Sequence, residues 1–360
     1  MFELTNEQRR CFALIPVNEN WERIKIKPSP YDNFETYAYC ENNIIKKCIT
    51  VSDIEYSEYE LCETISEDRK YLLPKTTRGK PILLSSSNLL KRSSLGMVLT
   101  FNHRFISLYN STTECSYYSL SYESFDIADI NEFEKWVIKW CNETTEEDIK
   151  DIDKFSKQSR KHIKYKEGDV FRFKIDRRLY GYGRIILDFD KMRKEKIDFW
   201  DILMTKPLVC SVFHIATERK DVTIDELKKL KSLPSTIIAD NRLFYGEYEI
   251  IGNISLTQSE DFPIMYGRSI NYGTKSICLQ YGRTFKEIEN GTLLYGGFIN
   301  NGVSFSLNLS LSILLDCIKK NSNEPYWNQI PAYRVNNDLR NPKFKRERAE
   351  IGKQMGIDLN

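Results

Sequence analysis

The chain has 360 residues, of which 41% are hydrophobic, 29% charged and 12% aromatic, with a formal net charge of +2. That length corresponds to about two domains and supplies enough apolar material for sizeable cores, which excludes a largely disordered polypeptide. The near-neutral total hides an asymmetry: residues 1–155 carry 19 Lys and Arg against 26 Asp and Glu, a balance of −7, and the remainder carries 34 against 25, a balance of +9.

Met1-Phe2-Glu3-Leu4-Thr5 has neither the basic start nor the apolar run of a signal peptide. The most apolar stretch, 303–318, contains four serines and an aspartate and is too short and polar to span a bilayer. The nine cysteines (11, 40, 48, 62, 115, 141, 210, 278 and 317) form no Cys-x-x-Cys pair, and most lie in apolar runs where they act as small hydrophobes. Free thiols at this density predict a reducing, cytoplasmic location.

In chain order, Phe34–Tyr39 and Ile44–Val51 flank Glu41-Asn42-Asn43, which predicts a hairpin. From Asp53 to Leu61 the apolar positions are Ile54 and Tyr56, then Tyr59 and Leu61, a phase slip that predicts a bulge. Met97–Phe101 and Phe105–Tyr109 around Asn102-His103-Arg104 predict a second hairpin. Asp129 and Glu132 form a capping-box pattern before Phe133, Trp136, Val137 and Trp140, which share one helix face and are expected to seal the first core. Glu143–Lys166 is highly charged and reads as a helical or loose linker, a solvated helix being the plainer reading.

Beyond it, Phe171, Phe173 and Ile175 alternate with Arg172 and Lys174, as in a half-buried strand, and after Asp176-Arg177-Arg178 the chain returns through Tyr180–Leu187. Strands are expected at Leu208–Ala216, Phe244–Ile254 and Ser276–Tyr281, a short helix from Thr223 to about Lys231, and a late helix at Leu309–Lys319. Asn341-Pro342 opens a final basic helix that Gly356 closes after Met355. The fold class expected is α+β, predominantly antiparallel β in both of two domains. The divisions are a β-rich domain over 1–142, a charged linker over 143–163, a second β-rich domain over 164–325 and an extension over 326–360.

Tyr165-Lys166-Glu167-Gly168-Asp169-Val170-Phe171 followed by Tyr180-Gly181-Tyr182-Gly183-Arg184-Ile185-Ile186 resembles the bacterial immunity protein 26 family. Members start with a Gly-Asp strand and return through a Tyr-Gly-Tyr-Gly-Arg segment. Pro207-Leu208-Val209-Cys210-Ser211-Val212, Phe262-Pro263 and Tyr266-Gly267-Arg268 fit the same pattern, so the resemblance covers about residues 163–290. Residues 1–160 are similar to amino-terminal modules that sometimes accompany this domain. The resemblance implies a polymorphic-toxin immunity protein, encoded beside a toxin gene, that protects the producing cell. It carries over no catalytic residue, and some relatives bear a phosphotriesterase label.

That label is tested by the residues. Metal-dependent phosphotriester hydrolysis needs clustered nitrogen and carboxylate ligands. The three histidines, His103, His162 and His214, are scattered, with no His-x-His or His-Glu-x-x-His pairing. There is no Gly-x-Ser-x-Gly elbow or P-loop, so no catalytic residue, metal site or cofactor is assigned.

Tyr182-Gly183-Arg184, Tyr266-Gly267-Arg268 and Tyr281-Gly282-Arg283 repeat one tripeptide. Strand glycines alone account for it; the sharper reading puts Tyr182, Arg184, Tyr266, Arg268, Tyr281 and Arg283 on a partner-binding surface. In the acidic half Asp53, Glu55, Glu58, Glu60 and Glu63 surround Tyr56 and Tyr59, an arrangement that is either a solvated face or a docking face for a basic target such as a nuclease toxin. The function expected is a cytoplasmic antitoxin that binds its cognate toxin and has no enzymatic activity, no membrane contact and no nucleic-acid partner. The alternatives are a hydrolase and a nucleic-acid-binding module using the basic second half.

Overall fold

The structure, a computed structural model, describes residues 2–28, 32–121, 127–194, 206–268, 276–296, 326–329 and 338–359. It divides into two compact units, Met1–Lys161 and His162–Asn360. Antiparallel sheets dominate and helices are few, the α+β arrangement that the alternation of apolar residues predicts.

The first unit is built on one sheet whose main path runs β1 (Glu22–Ile26), β2 (Glu35–Glu41), β3 (Ile44–Val51), β4 (Glu55–Ile65), β7 (Leu95–Asn102), β8 (Phe105–Asn110) and β9 (Cys115–Ser121). The short β5 (Tyr71–Leu73) and β6 (Ile82–Leu83) hang off β4. Both expected hairpins form. Asn42 and Asn43 close the first with φ of 48° and 62°, the left-handed backbone that tight hairpin turns require and asparagine tolerates.

Both faces of this sheet are covered. On one side Ile49, Val51, Tyr56, Leu99 and Phe101 pack with Phe12 and with Phe133, Val137 and Trp140 of α3 (Ile130–Asn142). On the other, Ala38, Cys48, Tyr59 and Leu61 pack with Leu72 of β5 and with Leu89 of α2 (Ser86–Leu89). Tyr56 and Tyr59 therefore serve opposite cores. The register does shift between Glu58 and Glu60, so the bulge exists, but two-sided burial is what makes both tyrosines apolar positions. Asp129 caps α3 through the amides of Asn131 and Glu132, whereas Glu132 accepts from Ala128 rather than from the cap residue. Residues Glu146–Ser156 form α4, which carries a Thr145–Asp148 capping box and buries Ile152 in the first core.

Two-sided burial also overturns the expectation of a single acidic face on β4. Tyr56, Tyr59 and Glu58 are buried, and Glu58 is fully enclosed. Its carboxylate accepts from Arg9 Nε of α1 (Asn6–Cys11) at 2.7 Å, from the Lys47 ammonium and from the Tyr56 hydroxyl at 2.6 Å. Arg9 also reaches Glu3 at 3.0 Å, so the first helix is tied to the sheet by charge as well as by Phe12. Burial lowers the Lys47 ammonium below the ordinary lysine range, against the pull of Glu58. Burial likewise raises Glu60, against Lys47 beside it.

In the second unit, β13 (Ser232–Ala239), β12 (Pro207–Phe213), β11 (Tyr180–Asp188), β10 (Asp169–Lys174) and β14 (Glu249–Asn253) form one sheet in that order. A second sheet holds β15 (Ile264–Arg268), β16 (Ile277–Tyr281) and β17 (Thr284–Ile288). Phe244–Ile254 is not one strand: α7 (Asn241–Phe244) ends at Tyr245, Gly246 turns with φ of 77°, and β14 starts at Glu249. Strand β11 leads into α5 (Phe189–Lys194), and Thr223 and Glu226 box the start of α6 (Ile224–Leu227) as expected, although that helix ends at Leu227 rather than near Lys231. Asn341 caps a 3-10 turn, Pro342–Phe344, that leads into the helix Lys345–Met355, closed by Gly356 at φ 68°. This last helix buries Ile351 and Met355 against Ile264, Tyr266, Ile277 and Leu279. The expected helix Leu309–Lys319 and the apolar stretch 303–318 lie outside the described residues. Among the described residues no helix is long and apolar enough to cross a membrane.

Removing one member of the enclosed charge group strands the others in an apolar core. Glu58→Ala is expected to lower the first unit's stability by about 3–5 kcal/mol, read by urea denaturation with its near-ultraviolet signal. A loss under about 1 kcal/mol would show that the charges are solvated.

Candidate functional site

Strands β10 and β11 place the Tyr-Gly-Tyr-Gly-Arg segment, and their pairing explains its glycines. Gly181 lies opposite Phe173 and Gly183 opposite Phe171. A Cβ at either glycine would sit 2.5 Å from the facing phenylalanine ring. The glycines thus open slots for two rings on one face of the sheet, and Phe171 stacks there on Tyr248 at 5.3 Å.

The opposite face carries Tyr180, Tyr182, Arg184 and Ile186. Its two ends are apolar but separate. Tyr180 and Tyr182 pack with Val170, Phe213 and Leu227, while Ile186 packs with Val209, Ile237, Met265 and Cys278. Between these clusters runs a polar row, one residue per strand. Arg184 of β11 pairs directly with Ser211 of β12, and Ser235 lies two residues before Ile237 on β13.

A single loop closes over this row. The carboxylate of Glu260 pairs with Arg184, both being almost enclosed at 7% and 13% side-chain exposure. The next residue, Asp261, accepts from the Ser235 amide at 2.7 Å and from Arg340 at 2.7 Å. Arg340 also donates to the Ser235 hydroxyl and carbonyl, each at 2.9 Å, and to Asp338. Two adjacent carboxylates are thereby held by one arginine of the sheet and one from near the C-terminus. The loop between, Ser255–Ser259, is exposed.

The three tripeptides do not form one Tyr–Arg patch. Tyr182 and Tyr266 are fully buried, with the Tyr182 hydroxyl on the Arg219 carbonyl at 2.8 Å and the Tyr266 hydroxyl on Gln354 at 2.7 Å. Neither offers a surface to a partner, because each fills an apolar layer and spends its hydroxyl inside the unit. Arg184 is committed to Glu260, and Arg283 pairs with Glu167. Arg268 is exposed, and Tyr281 is half-buried beside Phe262. In the first unit Asp53 is exposed, Glu55 and Glu60 are half-buried, and Tyr56, Glu58 and Tyr59 are buried as described above.

The titratable groups are similarly dispersed. His103 sits exposed in its hairpin turn beside Arg104, His162 stacks on Phe244 at 4.7 Å, and His214 is half-buried after β12. Among the described residues no three His, Cys, Asp or Glu side chains are grouped to hold a metal ion. Burial pushes the Cys40 thiol up to about 11 and raises Cys48 and Cys210 as well, which keeps these sulfurs protonated at neutral pH.

Residues 166–278 match the family model of Immunity protein 26. The match bears out the resemblance carried by the Gly168-Asp169 strand and the Tyr180–Ile186 return. No curated protein and no solved structure matches the chain. The Immunity protein 26 segment contains the ring slots, the polar row of Arg184, Ser211 and Ser235, and both carboxylates of the loop. It ends within β16, so Arg283 and Arg340 lie beyond it.

Sequence reading missed Ser211, Ser235, Glu260, Asp261 and Arg340. The one local signal was the Glu260-Asp261 pair immediately before Phe262-Pro263, a charged couple abutting an apolar run. Asp188, at the end of β11, is held above the ordinary aspartate range by burial and by the charges of Asp190 and Glu167.

Two outcomes follow from this geometry. Gly183→Ala should destabilise the second unit by about 1–3 kcal/mol through the clash with Phe171, and Phe171→Leu in the same chain should recover part of that loss; thermal melts of the single and double variants decide it. For Asp188, the raised value means that its favourable contribution is complete below pH ~3.8 and fades as pH rises through the folded-state value. Asp188→Asn should flatten the fall in stability over that interval, and an unchanged slope in denaturant titrations would rule the assignment out.

Proposed function

We propose that this chain is an immunity protein of a bacterial polymorphic toxin system and neutralises a cognate toxin by direct protein–protein binding. The observation that carries this reading is the match of residues 166–278 to Immunity protein 26. The matched segment supplies a sheet whose glycine slots are internal, and it presents the exposed loop Ser255–Ser259 beside the almost enclosed Arg184–Glu260 pair and the more exposed Asp261. Loops held on such scaffolds are where recognition residues concentrate.

Of the residues first assigned to a partner surface, Arg268, Tyr281 and Arg283 in the second unit and Asp53, Glu55 and Glu60 in the first remain as contact residues in this proposal. Tyr182, Tyr266, Tyr56, Glu58 and Tyr59 act through the frame instead. The toxin meets the antitoxin in the cytoplasm of the producing cell, and no chemical step is needed for protection. An acidic contact surface on the first unit would select a basic toxin, a nuclease among them.

Co-expression with the product of the adjacent toxin gene should give a complex that survives gel filtration and restores growth. Arg268→Ala should weaken that complex by about 2 kcal/mol, roughly thirtyfold, in calorimetry if it lies at the centre of the interface. Full protection in cells with no complex at any concentration tested would reject neutralisation by binding.

A further inference from the structure

The polar row of the second unit holds buried hydrogen-bonding groups that its ion pairs do not use. Arg184 spends its terminal nitrogens on Glu260 and the Ser255 carbonyl, but its Nε–H has no partner among the described residues. The hydroxyl of Ser211, directly opposite on β12, has none either. From the facing sheet, Gln280 is fully enclosed, and its Oε1 also has no partner among the described residues.

Gln280 enters the same layer. It lies two residues after Cys278 on β16 and opposite Met265 on β15, and both of those side chains pack on Ile186 and Val209 of the larger sheet. Phe262, next to the Glu260-Asp261 pair, belongs to this layer and abuts Gly282. The orientation of the Gln280 amide is fixed, because its NH2 donates to the Gly282 carbonyl and leaves the oxygen as the free end. Arg184 and Ser211 thus pair on the larger sheet beside this layer, and Gln280 lies on the strand that covers it. Burying such groups without a partner opposes folding, because each has lost its hydrogen bonds to water.

We propose that Arg184 Nε, Ser211 Oγ and Gln280 Oε1 together form one enclosed site for a small neutral molecule that both accepts and donates hydrogen bonds, namely a water molecule. The chemistry distinguishes this occupant from an anion. An anion would satisfy Arg184 and Ser211, but it would face the carbonyl oxygen of Gln280 with no hydrogen to give and would lie close to the Glu260 carboxylate. Water accepts from Arg184, exchanges with Ser211 and donates to Gln280, which meets the two to four polar partners that a buried water needs. The site hydrates the boundary between the two apolar clusters beneath the loop that Arg184 anchors.

The test is a crystal structure of the full chain at a resolution that resolves ordered water, from crystals grown with sodium bromide and measured at the bromine edge. The expected result is one density peak within 3.2 Å of at least two of the three atoms and without anomalous signal. In Ser211→Ala/Gln280→Met that peak should disappear while the Arg184–Glu260 pair persists. Should the variant fail to fold, water–protein Overhauser effects at the Gln280 side-chain amide of the unaltered chain provide the second reading. A bromide peak at the site overturns the proposal in favour of an anion site. Absence of density near all three groups, or three groups too far apart to share one molecule, also overturns it.

Discussion

A sheet covered on both faces gives the charged side chains of its strands no water to return to, and the internal chemistry of this chain follows from that constraint. In the first unit β4 lies between two apolar layers, so the enclosed Glu58 carboxylate is met by Arg9, Lys47 and Tyr56 rather than by water. In the second unit the larger sheet has aromatic rings on one face and two covers on the other, and Arg184 emerges where those covers meet. Its charge is answered by Glu260 from a loop rather than by solvent. Each pairing ties a chain segment to a sheet: the first helix through Arg9, and the loop 255–261 through Arg184.

The second consequence concerns packing on the aromatic face. Phe171 and Phe173 stand opposite Gly183 and Gly181, and their rings lie over backbone rather than over side chains. Such close approach is open only to glycine, since a methyl group would already be far inside contact distance of the ring. Tyr180 and Tyr182, which alternate with the glycines, fall on the other face and fill one end of it. The segment that carries the family match most visibly is therefore a device for building a thick, two-sided sheet. The same sheet holds the exposed loop 255–259 and its own edges in place.

The matched segment is smaller than the folded unit that contains it. The match stops at Cys278, inside β16, whereas the outer face of the second sheet is completed by Ile351 and Met355 of the last helix. Arg340 joins the same region to Ser235 and Asp261 of the matched segment. Function assigned to residues 166–278 thus depends on residues near the C-terminus for its structural support.

The sequence by itself determined what local physics determines. Period-two alternation marked β10, the asparagine pair marked the β2–β3 turn, and Asp129, Thr223 and Gly356 marked helix ends, because each signal is a property of a few neighbouring residues. The Gly-Asp strand and Tyr-Gly-Tyr-Gly-Arg return also carried the resemblance to Immunity protein 26 that the match over residues 166–278 bears out. Only the tertiary structure decided which tyrosines were buried, since Tyr182 and Tyr266 read the same as Tyr281 until their faces are covered. It alone paired Glu58 with Arg9 across 49 residues and Arg184 with Glu260 across 76. Charge pairing over such separations leaves no trace in a local pattern, so Glu58 read as one more member of an acidic face when it is enclosed, while Asp53 is exposed and Glu55 and Glu60 are half-buried.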